Sequence, residues 1–222
     1  MSDEPIVYLL DDEPEMLKAL TRLLHAQGLQ VLGFTSAREF FACERHQGPA
    51  CLVLDVAMPE IDGLQVQERL QQGGAELPVV FLTGHGDIPM SVRAMKAGAE
   101  DFLTKPVDAA DLLRAIRAAL QRASDRQAES EALAALRERL ALLTPREREV
   151  LGHVIAGKMN KQIAADLGTG EQNIKVHRGR LMRKMGVTSV VELVRVAERL
   201  GITPETNHPC APQRCPGPRP LA

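Results

Sequence analysis

The chain has 222 residues, of which 45% are hydrophobic, 3% aromatic and 25% charged, with four cysteines and a formal net charge of −2. That length admits one or two domains, and the core they bury must be aliphatic. No apolar run reaches the roughly 20 residues that span a bilayer, the opening MSDEP lacks the pattern of a secretory signal, and four scattered cysteines build neither a disulfide framework nor a zinc site. No membrane partner is expected, and the expected compartment is the cytoplasm.

The small net charge hides an asymmetry. Residues 1–120 hold 10 Lys/Arg against 18 Asp/Glu, residues 121–143 hold 4 of each, and residues 144–200 hold 11 against 6. An acidic part joined to a basic part points to one domain for a cation or regulator and another for a polyanion.

Residues 6–10 (IVYLL) predict a strand that ends on Asp11 and Asp12. Apolar residues at Met16, Leu17, Leu20, Leu23 and Leu24 follow at helical spacing over 13–27, with Gly28 as the stop. A second strand is expected over 29–34, then a helix over 37–45 with Ser36 as its cap. Residues 51–54 (CLVL) form a continuous apolar run ending on Asp55, the mark of a strand buried on both faces of a parallel sheet. Pro59, Asp62 and Gly63 break the chain before a helix over 64–71. A fourth strand, 78–82, ends on Thr83; a helix over 88–97 stops at Gly98; a short fifth strand, 101–103, leads to Thr104, Lys105 and Pro106; and a helix covers 108–120.

Five βα units in strict alternation imply a parallel sheet with helices on both faces. Chemistry in such sheets collects at the carboxyl ends of the strands. There stand Asp11, Asp12, Asp55, Thr83 and Lys105. Packed carboxylates repel, so a cation or a proton must hold them together. All-oxygen ligands with room for water favour Mg2+. Lys105 and Thr83 have no evident protein acceptor in the sequence and suit the oxygens of a phosphoryl group, with Asp55 as the nucleophile that carries it. Taken singly, Asp55 could be a turn residue, Thr83 a strand cap, and Phe102 a core aromatic. His85, one loop histidine near glycines, is not counted among the site residues.

VYLLDDE, LVLDVAMPEIDG and FLTGHGDIPMSVRAMKAGAEDFLTKP resemble the receiver domain of two-component response regulators of the FixJ-like kind, over residues 4–122. The resemblance implies a flavodoxin-like doubly wound sheet of order 2-1-3-4-5. It implies Mg2+ on Asp12, Asp55 and the backbone carbonyl of Ala57, with Asp11 acting through water. Asp55 takes the phosphoryl group from a sensor histidine kinase, Thr83 and Lys105 hold its oxygens, Phe102 is the switch aromatic, and Lys105-Pro106 is cis.

Residues 121–143 contain no Gly or Pro and favour helix. Leu133, Leu136, Leu140 and Leu143 are spaced 3-4-3, which fits either pairing with a second copy or a stripe resting on the next domain. Thr144-Pro145-Arg146-Glu147 is a capping box with Pro at the first helical position. Helices are expected from Pro145 to the stop at Gly157, over 160–167, over 171–185 and over 190–200, the middle two joined by Gly168-Thr169-Gly170 as a helix-turn-helix. In the third, Ile174, Leu181 and Met185 form a buried stripe with His177 and Arg178 on the same side, while Lys175, Val176, Gly179, Arg180 and Arg183 form the opposite face. Cations beside a methyl group and a glycine suit a helix in the major groove.

LTPREREVL, NKQIAADLG and NIKVHRGRLMRKMGV resemble the LuxR/FixJ-type DNA-binding domain over 142–200, which implies backbone contacts from Lys161 and Gln172 and groove contacts from Lys175, Val176 and Gly179. Arg178, Arg180 and Arg183 complete the expected DNA-contacting set. Asn173 stands where the family usually has Thr, and Gly179 where some relatives have Lys, which leaves the operator sequence open. Residues 201–222 carry six of the 14 prolines and are expected to be disordered.

The expected architecture is therefore a receiver over 4–120, a helical linker over 121–143, a small all-α four-helix DNA-binding domain over 144–200, and a tail. The expected function is a phosphorylation-dependent transcription regulator, not an enzyme beyond its own Asp55 phosphorylation and dephosphorylation. A histidine kinase, double-stranded DNA, RNA polymerase and, once phosphorylated, a second copy of the chain are the expected partners. Two rivals are a phosphatase that uses Asp55 on small substrates and a constitutive DNA-binding protein whose receiver only dimerises.

Overall fold

A computed structural model of the chain describes residues 4–203 apart from 60, 75–76 and 85–87. The tail from 204 on, with Cys210 and Cys215, and the His85-Gly86 pair lie outside the described residues. The chain divides into two compact units, Met1–Ser130 and Glu131–Ala222.

In the first unit, β1 (Ile6–Leu10), β2 (Gln30–Phe34), β3 (Ala50–Asp55), β4 (Val79–Thr83) and β5 (Asp101–Thr104) form one parallel sheet of order β2-β1-β3-β4-β5. That is the expected 2-1-3-4-5 order. β1, β3 and β4 are buried along their whole length, which is why they read as unbroken apolar runs, whereas edge strand β2 is largely exposed. Alternate side chains feed two cores. Tyr8, Leu52, Leu54 and Phe81 pack with Phe40, Val66 and Ala94 on one face; Val7, Leu9, Val53 and Leu82 pack with Leu20, Leu24, Leu112 and Ile116 on the other. The helices so placed are α2 (Ala37–Ala42), α3 (Gly63–Gln72) and α4 (Ile88–Lys96) on the first face, and α1 (Pro14–Ala26) and α5 (Ala109–Ala141) on the second.

Two expectations change here. The second helix, expected to reach Arg45, ends at Ala42, and Cys43 is already extended. Arg45 leaves the helix to stack on Phe40 at 4.2 Å, and the His46 amide donates to the Tyr8 hydroxyl at 2.9 Å, so tertiary contacts override local propensity. The separate helices expected over 108–120 and 121–143 are one 33-residue helix, α5. Its burial changes along its length, but no residue interrupts its hydrogen bonding.

In the second unit, α6 (Pro145–Ile155), α7 (Asn160–Asp166), α8 (Glu171–Met185) and α9 (Val190–Arg199) surround Val150, Leu151, Val154, Ile163, Ile174, Leu181, Met185 and Leu193. The capping box forms as expected, with the Thr144 side chain accepting from the Glu147 amide. Leu140 and Leu143, from the linker stripe, belong to this core. The reading in which the stripe rests on its own neighbouring domain therefore accounts for them.

Candidate functional site

The crossover of strand order between β1 and β3 opens a crevice at the carboxyl edge of the sheet. Asp11 follows β1, Asp55 ends β3, Thr83 ends β4, and Lys105 follows β5. Asp11 is 2% exposed, Asp55 4% and Thr83 2%, so the fold has carried charged and polar groups into its interior. Lys105 Nζ donates to Asp11 Oδ2 and to Asp55 Oδ2, both at 2.8 Å. The second oxygen of each carboxylate is also engaged: Asp11 Oδ1 accepts from the Glu13 amide at 2.9 Å, and Asp55 Oδ1 from the Ala57 amide at 3.3 Å. The sequence shows no evident protein acceptor for Lys105. The structure supplies two.

The backbone fixes this arrangement. The Lys105 amide donates to the Thr83 carbonyl at 2.7 Å, and the Lys105-Pro106 bond is cis, as the family resemblance implies. On the opposite wall, Asp62 caps α3 through a capping box. Gly63 then passes so close that a Cβ there would lie 2.5 Å from the Asp55 carbonyl oxygen. Only glycine lets α3 start against the end of β3.

Burial alone would lower the pKa of Lys105, but hydrogen bonds to Asp11 and Asp55, with their charges, outweigh it and hold the ammonium above its ordinary value. The cluster stays unbalanced. Asp11, Asp12 and Asp55 each offer an oxygen, all within 4.8 Å of one another, and one ammonium faces three carboxylates. The remaining two negative charges on hard oxygen donors fit a divalent cation of the Mg2+ class. Ala57, whose carbonyl the family resemblance assigns to the metal, lies on the exposed loop two residues beyond Asp55. Phe102 is half-buried, its ring 6.2 Å from that of Phe81, so it packs against the core while keeping an exposed edge. The two cysteines among the described residues, Cys43 and Cys51, are free, and burial, then the charge of Glu100, push the Cys51 thiol up to about 12.

The expected DNA-contacting residues divide. Lys161, Gln172, Lys175, Val176, Gly179, Arg180 and Arg183 are exposed, while Ile174, Leu181 and Met185 are buried on the other side of α8. Arg178 differs. It is half-buried, and its Nη1 donates to Asn160 Oδ1 at 2.9 Å, which ties α8 to the start of α7. Sequence reasoning missed Lys184, which donates to the buried carboxylate of Glu147 at 2.7 Å. Glu147 was visible as a capping residue; its partner, 37 residues away, was not.

Residues 7–117 match the response regulator receiver domain family, and residues 141–206 match the bacterial regulatory proteins of the luxR family. The chain is 46% identical over 201 residues to response regulator protein TodT of Pseudomonas putida, covering 90% of this chain and 88% of that one. The chain belongs to the response regulators. It is 40% identical to transcriptional regulatory protein FixJ of Azorhizobium caulinodans, over 89% of this chain and 94% of the relative. Among solved structures, response regulator StyR superposes with a TM-score of 0.80 at 42% identity, over 88% of this chain and 99% of that one. This response regulator thus joins a receiver to a LuxR-type DNA-binding domain and is a transcription regulator of a two-component system. Its receiver implies a histidine kinase partner, and its second domain implies DNA.

Proposed function

We propose that Asp55 is the phosphoacceptor and that its phosphorylation assembles the regulator on DNA. The observation that carries this reading is the buried Asp55 carboxylate held at 2.8 Å by Lys105, beside two further carboxylates. An Asp55 oxygen attacks the phosphorus of the kinase's phosphohistidine; the new O–P bond forms as the N–P bond breaks, and the imidazole leaves with the electron pair. Asp11, Asp12, Asp55 and the Ala57 carbonyl would hold Mg2+, which would supply positive charge to offset that of the phosphoryl oxygens. Lys105 pairs with one of those oxygens once the new acyl phosphate has replaced the free Asp55 carboxylate it now holds. Thr83, at the end of β4, holds another, and its movement frees space for Phe102 to turn inward.

The consequence falls on the face of α4, β5 and α5, where Val92 is 45% and Met95 49% exposed. Two receivers pair there and deliver two copies of α8 to adjacent half-sites in the major groove. Lys175, Val176 and Gly179 face the base edges, with Arg180, Arg183, Lys161 and Gln172 on the sugar-phosphate. Arg178 acts through Asn160 to hold the two helices of the motif. RNA polymerase is the partner of the DNA-bound dimer, and the compartment is the cytoplasm. Apart from handling its own phosphoryl group, the chain catalyses nothing in this reading.

Light scattering of the purified chain, with and without a small acyl-phosphate donor and Mg2+, tests it. A donor-dependent shift from monomer to dimer that Asp55→Asn abolishes is the expected result. Donor-stimulated pairing or DNA binding that survives Asp55→Asn would sink the proposal.

A further inference from the structure

A helix leaves its last carbonyls without intrahelical partners, at the negative end of its dipole. Two helices of the second unit, the end of α5 and α8, each receive a cation from the other at this point. Lys184, in the last turn of α8, donates to the carbonyl of Leu142, the residue after α5, at 3.0 Å. Arg139, in the last turn of α5, donates through Nη1 to the carbonyl of Met185, the last residue of α8, at 3.3 Å. The exchange is reciprocal: each C-terminus is capped by the other's side chain.

Two further features fix it. Lys184 also pairs with Glu147, whose carboxylate is buried and accepts from the Thr144 amide at 2.9 Å, so the ammonium cannot swing away without stranding a buried charge. Gly186, with φ +69°, closes α8 in the left-handed conformation, and a Cβ there would lie 2.6 Å from Arg139 Nη1. The glycine both ends the helix and admits the guanidinium. Lys184 is therefore committed inward although its neighbour Arg183 is exposed.

We propose that Arg139 and Lys184 are positioning residues for DNA recognition, joining the last turn of the linker helix and the recognition helix into one rigid piece, so that the linker sets how α8 meets the groove. Neither touches DNA. The inference rests on α8 being the DNA-reading helix.

The test uses the full chain with acyl-phosphate donor and Mg2+, a duplex enriched from a random-sequence library by the wild type, and an unrelated duplex. Arg139→Met and Lys184→Met each weaken binding to the enriched duplex about tenfold but binding to the unrelated duplex less than about twofold, with the salt dependence unchanged. The double variant loses no more than Lys184→Met alone, because the two caps act as a unit. Arg139→Met removes one capping hydrogen bond and lowers the melting temperature slightly, so binding is compared at a temperature where every variant is fully folded. Equal losses on both duplexes, with the salt slope reduced by about one, would make Lys184 a phosphate contact and overturn the proposal. Unchanged binding alongside a lowered melting temperature would overturn it too, leaving only a structural cap. A wild type that enriches no duplex defeats the reading of α8 itself, and the proposal with it, before any variant is compared.

Discussion

The strand-end cluster and the exposed face of α8 treat charge in opposite ways. In the first, three carboxylates and one ammonium are drawn together, with Asp11 and Asp55 almost wholly buried. In the second, Lys175, Arg180 and Arg183 stand in solvent. A buried charge interacts through a low dielectric, so one added or removed group changes the local energy by several kcal/mol in order of magnitude. An exposed cation is screened and contributes little to stability, typically ~1 kcal/mol or less in a surface pair. It becomes consequential when a polyanion brings many phosphates together. A single phosphoryl group can therefore switch the first region, whereas the second responds to how many contacts form. The buried cluster thus suits a switch, and the exposed face suits binding to a polyanion.

Removal of the buried cation is expected to have the largest effect. Lys105→Met leaves Asp11 and Asp55 facing one another without an ammonium, and breaking a buried pair typically costs about 3–5 kcal/mol. Urea unfolding of the full chain in the presence of a chelator is expected to show a loss of that order in the receiver transition, whereas Lys175→Met on the exposed face changes the stability of its own unit by under about 0.5 kcal/mol. Similar losses from the two variants would end the distinction.

Next in size is the divalent cation. If the two uncompensated charges define its site, Mg2+ at 100 times its dissociation constant stabilises the receiver by about 2.7 kcal/mol. Chelation removes that increment, and Asp12→Asn reduces it. A receiver whose melting temperature ignores both Mg2+ and chelator does not hold the ion at these carboxylates.

The two regions were also unequally legible in the sequence. Asp55 could be read because a strand buried on both faces is an unbroken apolar run, and its end marks where a parallel sheet does chemistry. Asp11, Thr83 and Lys105 followed from the same rule. That Lys105 clasps two carboxylates 94 and 50 residues away was not legible, since no local pattern encodes a contact between distant strand ends. The buried stripe of α8 was visible in the spacing of Ile174, Leu181 and Met185. Arg178 sits beside that stripe, and only the packed helices show its guanidinium held by Asn160. The continuity of α5 was half-legible. Residues 121–143 contain no breaker, but the apolar face that stops at Leu120 looked like the end of a helix when it was only the end of a buried surface.

A smaller effect is expected inside the second unit, where Glu147 is a buried carboxylate. The hydrogen bond from Lys184, then that from the Thr144 amide, holds its carboxyl below the usual carboxylate value of 4.5. The stability this contributes is complete above that value and is lost as pH falls through the lower, folded one. The melting-temperature gap between the wild type and Glu147→Gln is therefore widest near neutrality and narrows with acidification. A gap that stays constant with pH would mean that the Glu147 charge is not what Lys184 reads.

The smallest effect tests the exposed face on its own terms. Removing one exposed cation takes away one released counterion per bound duplex, so Lys175→Met lowers the slope of log affinity against log salt by about one and weakens all sequences alike if Lys175 lies on a phosphate. If it reaches a base edge, the slope holds and preference at one base pair relaxes, by about 1–3 kcal/mol for a good bidentate contact. Val176 serves as the internal reference: it carries no charge, so Val176→Ala can change sequence preference but not the slope. Binding isotherms at several salt concentrations on an enriched and an unrelated duplex separate these cases. A Val176→Ala variant that changed the slope would show that α8 shifts on the duplex when one methyl contact is lost, and the contacts of this face would then no longer be independent of one another.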